Sequence, residues 1–163
     1  MTVYIGLGSN LADPVKQVKQ AIDDLANITQ TKLVAVSSLY SSPPMGPQDQ
    51  PDYINAVAAL QTELSPEQLL DELQKIEQQH GRVRHRHWGE RTLDLDILLF
   101  GDQAIDDERL QIPHLGITRR AFVLYPLAEI APEIVIPGHD LIANLLPLCP
   151  KDGLQRITDS THE

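Results

Sequence analysis

Thr92-Leu93-Asp94-Leu95-Asp96-Ile97-Leu98-Leu99-Phe100 is the stretch from which the fold can be read. Successive side chains of a β-strand point to opposite faces. Leu93, Leu95, Ile97 and Leu99 then share one face, and Thr92, Asp94, Asp96, Leu98 and Phe100 share the other. An aliphatic row anchors the strand, while two carboxylates project from one end of the opposite face, with Cα atoms roughly 6.5–7 Å apart. At about 5 Å between the charges and an effective dielectric of ~20, their repulsion is on the order of 3 kcal/mol. A strand does not need such a pair in order to fold. A hard divalent cation turns its cost into a binding site.

The preceding run, His80-Gly81-Arg82-Val83-Arg84-His85-Arg86-His87-Trp88-Gly89-Glu90-Arg91, carries four arginines, three histidines and one acid. A cationic loop thus leads straight into a strand that presents two anions. Magnesium and phosphate together explain both features: the carboxylates hold the metal, and the arginines hold the phosphate oxygens it leaves uncovered. The plainer alternative is a solvated basic loop before an edge strand with solvated aspartates.

The 163 residues fit one domain spanning 1–163. A chain of this length buries roughly 70% of its unfolded surface, enough for a real core. A single cysteine, Cys149, excludes an intramolecular disulfide framework and a cysteine-based zinc cluster. The N-terminal residues lack a basic segment followed by a long apolar stretch, and no apolar run reaches the ~20 residues of a membrane span. The expectation is a cytoplasmic protein with no membrane partner. The net charge of −10 argues against general nucleic-acid binding. Residues 80–91 nevertheless carry +3, so the remainder carries −13. Such a local patch suits a small, compact anion.

In chain order, Val3 to Leu7 reads as a short buried strand closed by a turn at Gly8-Ser9-Asn10. Asp13 caps a helix with Pro14 at its first position, and Val15, Val18, Ile22 and Leu25 form its stripe to about Asn27. Leu33 to Tyr40 is strand-like. Four prolines in residues 41–52 then forbid helix or central strand, which suggests a binding loop. Tyr53 to Leu60 is the next strand. Tyr53 and Asn55 share one of its faces, and an aromatic beside an amide suits a flat heterocycle. Ser65, Pro66 and Gln68 open a helix with a capping box, and Leu69, Leu70, Leu73 and Ile76 form its buried stripe up to Gly81. After the aspartate strand come a small ribbon over 104–112, a helix capped by Thr118 and interrupted near Pro126, a short helix over 141–146, and an irregular polar tail. This order predicts an α+β fold with a ferredoxin-like split βαβ sheet, in three layers α/β/α with extra C-terminal helices.

With these segments placed, the sequence resembles the 6-hydroxymethyl-7,8-dihydropterin pyrophosphokinases of folate biosynthesis. The matching stretches are Tyr4 to Leu11, Gly46 to Asn55, Gly81-Arg82-Val83-Arg84, Trp88 to Ile97, and Ile112-Pro113-His114, with Arg91-Thr92-Leu93-Asp94-Leu95-Asp96-Ile97 the most specific. The resemblance implies an ATP-dependent pyrophosphokinase that transfers pyrophosphate to the pterin hydroxymethyl oxygen and releases AMP. It implies two Mg²⁺ ions on Asp94 and Asp96, with ATP as co-substrate. It places Arg82 and Arg91 on the ATP phosphates as catalytic residues of a mobile loop, with Arg84 and Trp88 helping to close it. Tyr53 and Phe122 would sandwich the pterin and Asn55 would bond its polar edge, assisted by Ser42, Pro43 and Met45, with Trp88 also adjacent. Gln74, Glu77, Arg84, Trp88, Arg91, Ile97, Arg109, Ile112, His114 and Arg120 would surround ATP. The partners implied are these two small molecules, acting on a monomer.

Two departures stand out. The arginine loop is one residue shorter than the resemblance leads one to expect between Arg84 and Trp88, and Leu115 follows His114 where an aromatic often sits. Beyond Gly138 the match is poor, and no function attaches to that segment. Two other classes remain open to the residues: a ferredoxin-like small-molecule sensing module, and a Mg²⁺-dependent phosphohydrolase using the same aspartates.

Overall fold

A computed structural model describes residues 1–10, 13–43, 52–80, 93–114, 116–151 and 153–157. The elements are β1 (Thr2–Ser9), α1 (Pro14–Ala26), β2 (Thr31–Val36), β3 (Tyr40–Ser42), β4 (Tyr53–Thr62), α2 (Pro66–Gln79), β5 (Asp94–Phe100), β6 (Ile105–Asp106), β7 (Gln111–Ile112), α3 (Ala121–Ile130), α4 (Ile142–Leu145), a 3-10 turn at Leu146–Leu148, and β8 (Gln155–Arg156). The main sheet runs β5-β1-β4-β3-β8, with β2 also paired to β4, and every pairing is antiparallel. This is the α+β, ferredoxin-like arrangement expected. β6 and β7 form the separate ribbon.

Helices cover both sheet faces because both are apolar. Val18, Ala21 and Leu25 of α1 and Leu69, Leu73 and Ile76 of α2 pack on Val3, Ile5, Ile54, Ala58, Leu60, Leu95 and Ile97. On the other face, Val123, Leu124 and Leu127 of α3 and Ile142 of α4 meet Val57, Leu98 and Leu99. Each leucine or isoleucine so buried stabilises the fold by roughly 1.5–3 kcal/mol. The capping box of α2 forms as its sequence predicts: Gln68 N–H donates to Ser65 Oγ at 3.2 Å, and Ser65 N–H donates to Gln68 Oε1 at 2.9 Å. Among the described residues, no helix is long and apolar enough to cross a membrane.

The strict alternation expected for β5 fails in its last third. Tyr4 of β1 lies opposite Leu99 and Ile5 opposite Ile97, so Leu98 is an extra residue between them. Such a bulge inverts the side-chain sequence beyond it. Leu99 therefore joins the α3 side, and Phe100 joins the α1/α2 side, the reverse of the simple reading. The Leu98 carbonyl accepts the backbone N–H of His114 at 3.0 Å. Residue Thr92, placed in this strand from sequence, lies outside the described residues.

Four other expectations are corrected. β1 continues through Gly8 and Ser9 instead of turning there, because β4 and β5 pair with it on both sides as far as Gly8. The strand expected over 33–40 divides into β2 and β3. At the break, Ser37 Oγ accepts the Val57 N–H at 2.9 Å, so a side chain stands in for the ladder. Helix α3 begins at Ala121 with Arg120 at its cap position and runs through Pro126. That proline is the sixth residue of a ten-residue helix with five residues buried; it removes the donor to the Phe122 carbonyl and crowds that oxygen, and packing of Leu124 and Leu127 outweighs the cost. The polar tail contributes β8, paired to β3.

Candidate active site

The sheet builds the site row by row. Gly8 of β1 lies between Asp94 of β5 and Asn55 of β4, and Asn55 in turn faces Tyr40 of β3. One step along, Gly6 lies between Asp96 and Val57. Cross-strand neighbours in such rows have Cβ atoms about 4.5–5.5 Å apart. The two aspartates therefore border a glycine floor with the Tyr53/Asn55 face of β4 on its far side.

That floor opens into a pocket that is open to solvent on one side. Ser42, Pro43, Tyr53, Asn55, Phe122, Asp94, Asp96 and Arg120 all line it. Residues from four separate stretches of sequence thus meet in one place. Asn55 is buried, and its Nδ2 donates to Ser42 Oγ at 2.7 Å, which orients the amide. Phe122, in the first turn of α3, has the Arg120 guanidinium 5.9 Å from its ring centroid, within cation–π range. Gly116 gives Arg120 its path: a Cβ there would lie 2.5 Å from Arg120 Nε.

The sequence reading named no role for Gly6 and Gly8, yet both line the pocket. A Cβ on Gly6 would come within 3.3 Å of the Leu98 side chain, and one on Gly8 within 3.4 Å of Asn55 Oδ1. The available signal was two glycines at alternate positions of one strand, a pattern that marks close approach of a ligand or another chain. Leu98 and Val123 also contribute walls. The bulge explains Leu98, since the alternation alone could not place it.

The remaining sites expected from sequence lie around this pocket or apart from it. Arg109 Nη2 donates to Gln74 Oε1 at 3.2 Å and also pairs with Asp71. Asp107 Oδ1 shapes the approach to Arg109 by accepting the N–H groups of Arg109 and Leu110, at 3.0 and 2.9 Å. Glu77 is buried, and its Oε2 accepts the Leu95 N–H at 2.8 Å, between the two aspartates in sequence. Ile97 and Ile112 are core residues, 3% and 2% exposed. His114 is half-buried, and its Nδ1 accepts the Gly116 N–H at 3.2 Å. The neutral ring then carries its proton on Nε2. Met45, Arg82, Arg84, Trp88 and Arg91 lie outside the described residues. His80, the last described residue before 81–92, ties α2 to α1 through Asp24 Oδ2 at 2.8 Å and Gln17 Oε1 at 2.5 Å.

Electrostatics behind the pocket centre on Glu129 of α3. It accepts from Tyr40 Oη at 2.7 Å, Ser38 Oγ at 2.8 Å and the Ser38 N–H at 3.0 Å. Burial alone would raise its pKa, but the Tyr40 and Ser38 hydrogen bonds hold it below its ordinary value. Tyr40 is pushed up to about 12, first by burial and then by its bond to Glu129.

Asp94 and Asp96 are hard oxygen donors at the edge of a pocket, which suits Mg²⁺ completed by nucleotide oxygens and water. Among the described residues, no group of three or more His, Cys, Asp or Glu could hold a metal ion unaided.

Comparison with known proteins identifies the family. The sequence pattern of the 7,8-dihydro-6-hydroxymethylpterin-pyrophosphokinase family (HPPK) matches residues 4–132. A 2-amino-4-hydroxy-6-hydroxymethyldihydropteridine pyrophosphokinase of Pseudomonas aeruginosa is 54% identical over 155 residues, covering 95% of this chain and 96% of that one. The Haemophilus influenzae protein of the same name is 56% identical over 146 residues, covering 90% of this chain and 91% of its own. Among solved structures, wild-type Plasmodium falciparum HPPK-DHPS with STZ-DHP superposes with a TM-score of 0.71 at 15% identity, over 90% of this chain and 43% of that one. At that identity the likeness concerns the fold, and this chain spans less than half of the larger protein.

Proposed function

The chain belongs to the 7,8-dihydro-6-hydroxymethylpterin-pyrophosphokinase family, and on that footing we propose that the pocket bordered by Asp94 and Asp96 is where ATP meets the pterin. The enzyme transfers pyrophosphate from ATP to the hydroxymethyl group of 6-hydroxymethyl-7,8-dihydropterin, giving AMP and the dihydropterin pyrophosphate, in folate biosynthesis. The observation that carries the site reading is that one pocket is lined by an aromatic pair, an oriented amide and two carboxylates.

In this reading Tyr53 and Phe122 receive the two faces of the pterin. Asn55, held by Ser42, bonds its polar edge, and Ser42 and Pro43 close one side together with Met45. The hydroxymethyl oxygen then points toward the aspartate end of the floor, where the β-phosphorus of ATP must lie for attack and release of AMP. Asp94 and Asp96 would hold two Mg²⁺ ions. Bound there, magnesium would supply charge neutralisation on the phosphate oxygens and a lower pKa for the attacking hydroxyl. With that supply, the chain needs no dedicated base of its own.

The other residues position and neutralise. His114 offers its Nε2–H to a phosphate oxygen, a donor orientation set by the Gly116 bond to Nδ1. Arg120, beside Phe122, carries positive charge to the pocket rim. Gln74 and Arg109, already bonded to each other, take the nucleotide side, with Ile97 and Ile112 as the apolar floor beneath. Arg82, Arg84, Trp88 and Arg91 cover the phosphates late, and arginine suits that task because its fork binds two oxygens at once. Glu77 serves by holding β5. A single domain over 1–163, a monomer in solution and a cytoplasmic location complete the reading.

The test is nucleotide product analysis with purified enzyme. AMP should form from ATP only when the pterin alcohol is present, and Asp96→Asn should abolish it. ADP and phosphate without the pterin would instead support the phosphohydrolase reading.

A further inference from the structure

We propose that the C-terminal segment from Leu146 to Ile157 is a positioning element that sets the spacing of the pocket walls, and so governs pterin affinity. This rests on the reading of the pocket as the pterin site. The segment lies beyond the residues that the family pattern matches, 4–132, and nothing in the sequence suggested a role for it.

The two walls in question are short and separately built. One is Ser42 and Pro43, at the end of the three-residue strand β3. The other is Phe122 and Val123, in the first turn of α3. The C-terminal segment touches both. On the β3 side, Tyr40 pairs with Arg156, Ser41 pairs with Gln155, and the Ile157 N–H donates to the Leu39 carbonyl at 2.8 Å. β8 therefore turns a three-residue edge into an internal strand. On the α3 side, Tyr125 Oη donates to the carbonyls of Cys149 at 2.9 Å and Leu146 at 3.2 Å. Leu154 is buried in the same core as Val123 and Leu124, which anchors the segment between the walls.

Gly153 makes the link to Pro43 direct. Its φ is +87°, a left-handed conformation that favours glycine, and a Cβ there would lie 2.9 Å from Pro43 Cγ and 3.2 Å from Cδ. Any side chain at 153 must push either the tail or the Pro43 ring away. The expected consequence is a displaced wall at a site where small misplacements are costly.

The experiment uses the full chain with Gly153→Ala and with Ile157→Pro, which removes the N–H bonded to Leu39. Folding is checked by circular dichroism, and binding of the pterin alcohol is measured calorimetrically in the presence of a non-hydrolysable ATP analogue and Mg²⁺. Tyr53→Ala serves as the reference for the pocket. The expected result is pterin affinity about tenfold weaker in both tail variants, with affinity for the ATP analogue within about twofold of wild type. Should Ile157→Pro fail to fold, Gly153→Ala alone decides. Pterin binding at wild-type strength in a folded Gly153→Ala protein, while Tyr53→Ala loses it, overturns the tail proposal and leaves the pocket reading standing. Wild-type pterin binding by Tyr53→Ala overturns the pocket reading and the tail proposal with it. Equal losses for both ligands in the tail variants reduce the segment to a stability element and also overturn the proposal.

Discussion

Glu77 reaches from α2 to β5, where its Oε2 accepts the backbone N–H of Leu95 at 2.8 Å. β5 lies at the edge of the sheet, with β1 as its neighbour, and Leu95 sits between Asp94 and Asp96. A buried carboxylate thus holds in place the strand that presents both aspartates. Glu77→Ala is expected to destabilise the protein by about 1.5–3 kcal/mol, the range for a buried hydrogen bond to a charged group. Glu77→Gln, which retains an acceptor, should cost less. Urea unfolding checks both. A Glu77→Ala protein as stable as wild type but impaired in ATP binding would return Glu77 to the direct nucleotide contact that the family resemblance implies.

Tyr53 and Phe122 line the same pocket from β4 and α3. Tyr53→Ala should weaken pterin binding by about tenfold, from lost stacking and burial, and leave ATP affinity nearly intact. Fluorescence or calorimetric titration with each ligand separately measures this. A matching loss for both ligands would contradict the proposed sandwich.

The Tyr40–Glu129 pair predicts a pH dependence with a definite sign on each side. Glu129 has a lowered pKa in the fold, so its contribution is complete above its ordinary value of 4.5 and is lost as pH falls through the folded-state pKa. Tyr40 has a raised pKa, so its contribution is complete below 10 and is lost as pH rises toward about 12. Melting temperatures of Glu129→Gln and wild type should therefore converge in acid, and those of Tyr40→Phe and wild type should converge in alkali. Parallel curves across the whole range would contradict the assignment.

How far these elements were legible in the sequence depended on whether the signal was local. The capping box at Ser65 and Gln68, the helix start at Pro14 and the Tyr53/Asn55 face each follow from a few adjacent residues, and each forms as read. Asp94 and Asp96 were legible from the strand pattern itself, whereas the pocket membership of Ser42, Pro43, Arg120 and Phe122 was reachable only through the family resemblance, because long-range pairing brings them together. The Leu98 bulge was not legible, since Leu98, Leu99 and Phe100 are all apolar and fit either face. Strand β8 was hidden by its polar Gln155 and Arg156, which pair through the backbone at a sheet edge. Pro126 misled for the opposite reason: a strong local breaker yields where the helix around it is buried.

Arg82→Ala tests the loop reading. Because the loop arginines are proposed to act late, kcat should fall by on the order of 10²–10³-fold, with a much smaller change in the dissociation constant for the ATP analogue. Single-turnover kinetics beside equilibrium binding separates the two. Weaker ATP binding with unchanged kcat would assign Arg82 to ground-state recognition.

The central claim is that Asp94 and Asp96 together hold a divalent cation whose remaining ligands come from the nucleotide. Electron paramagnetic resonance of Mn²⁺ titrated into wild type, Asp94→Asn and Asp96→Asn, each with the non-hydrolysable ATP analogue, measures that site without relying on turnover. Wild type should bind Mn²⁺ with an affinity that rises sharply when the analogue is added. Each variant should lose that gain while circular dichroism shows it folded. Undiminished analogue-dependent Mn²⁺ binding in both variants would contradict the account.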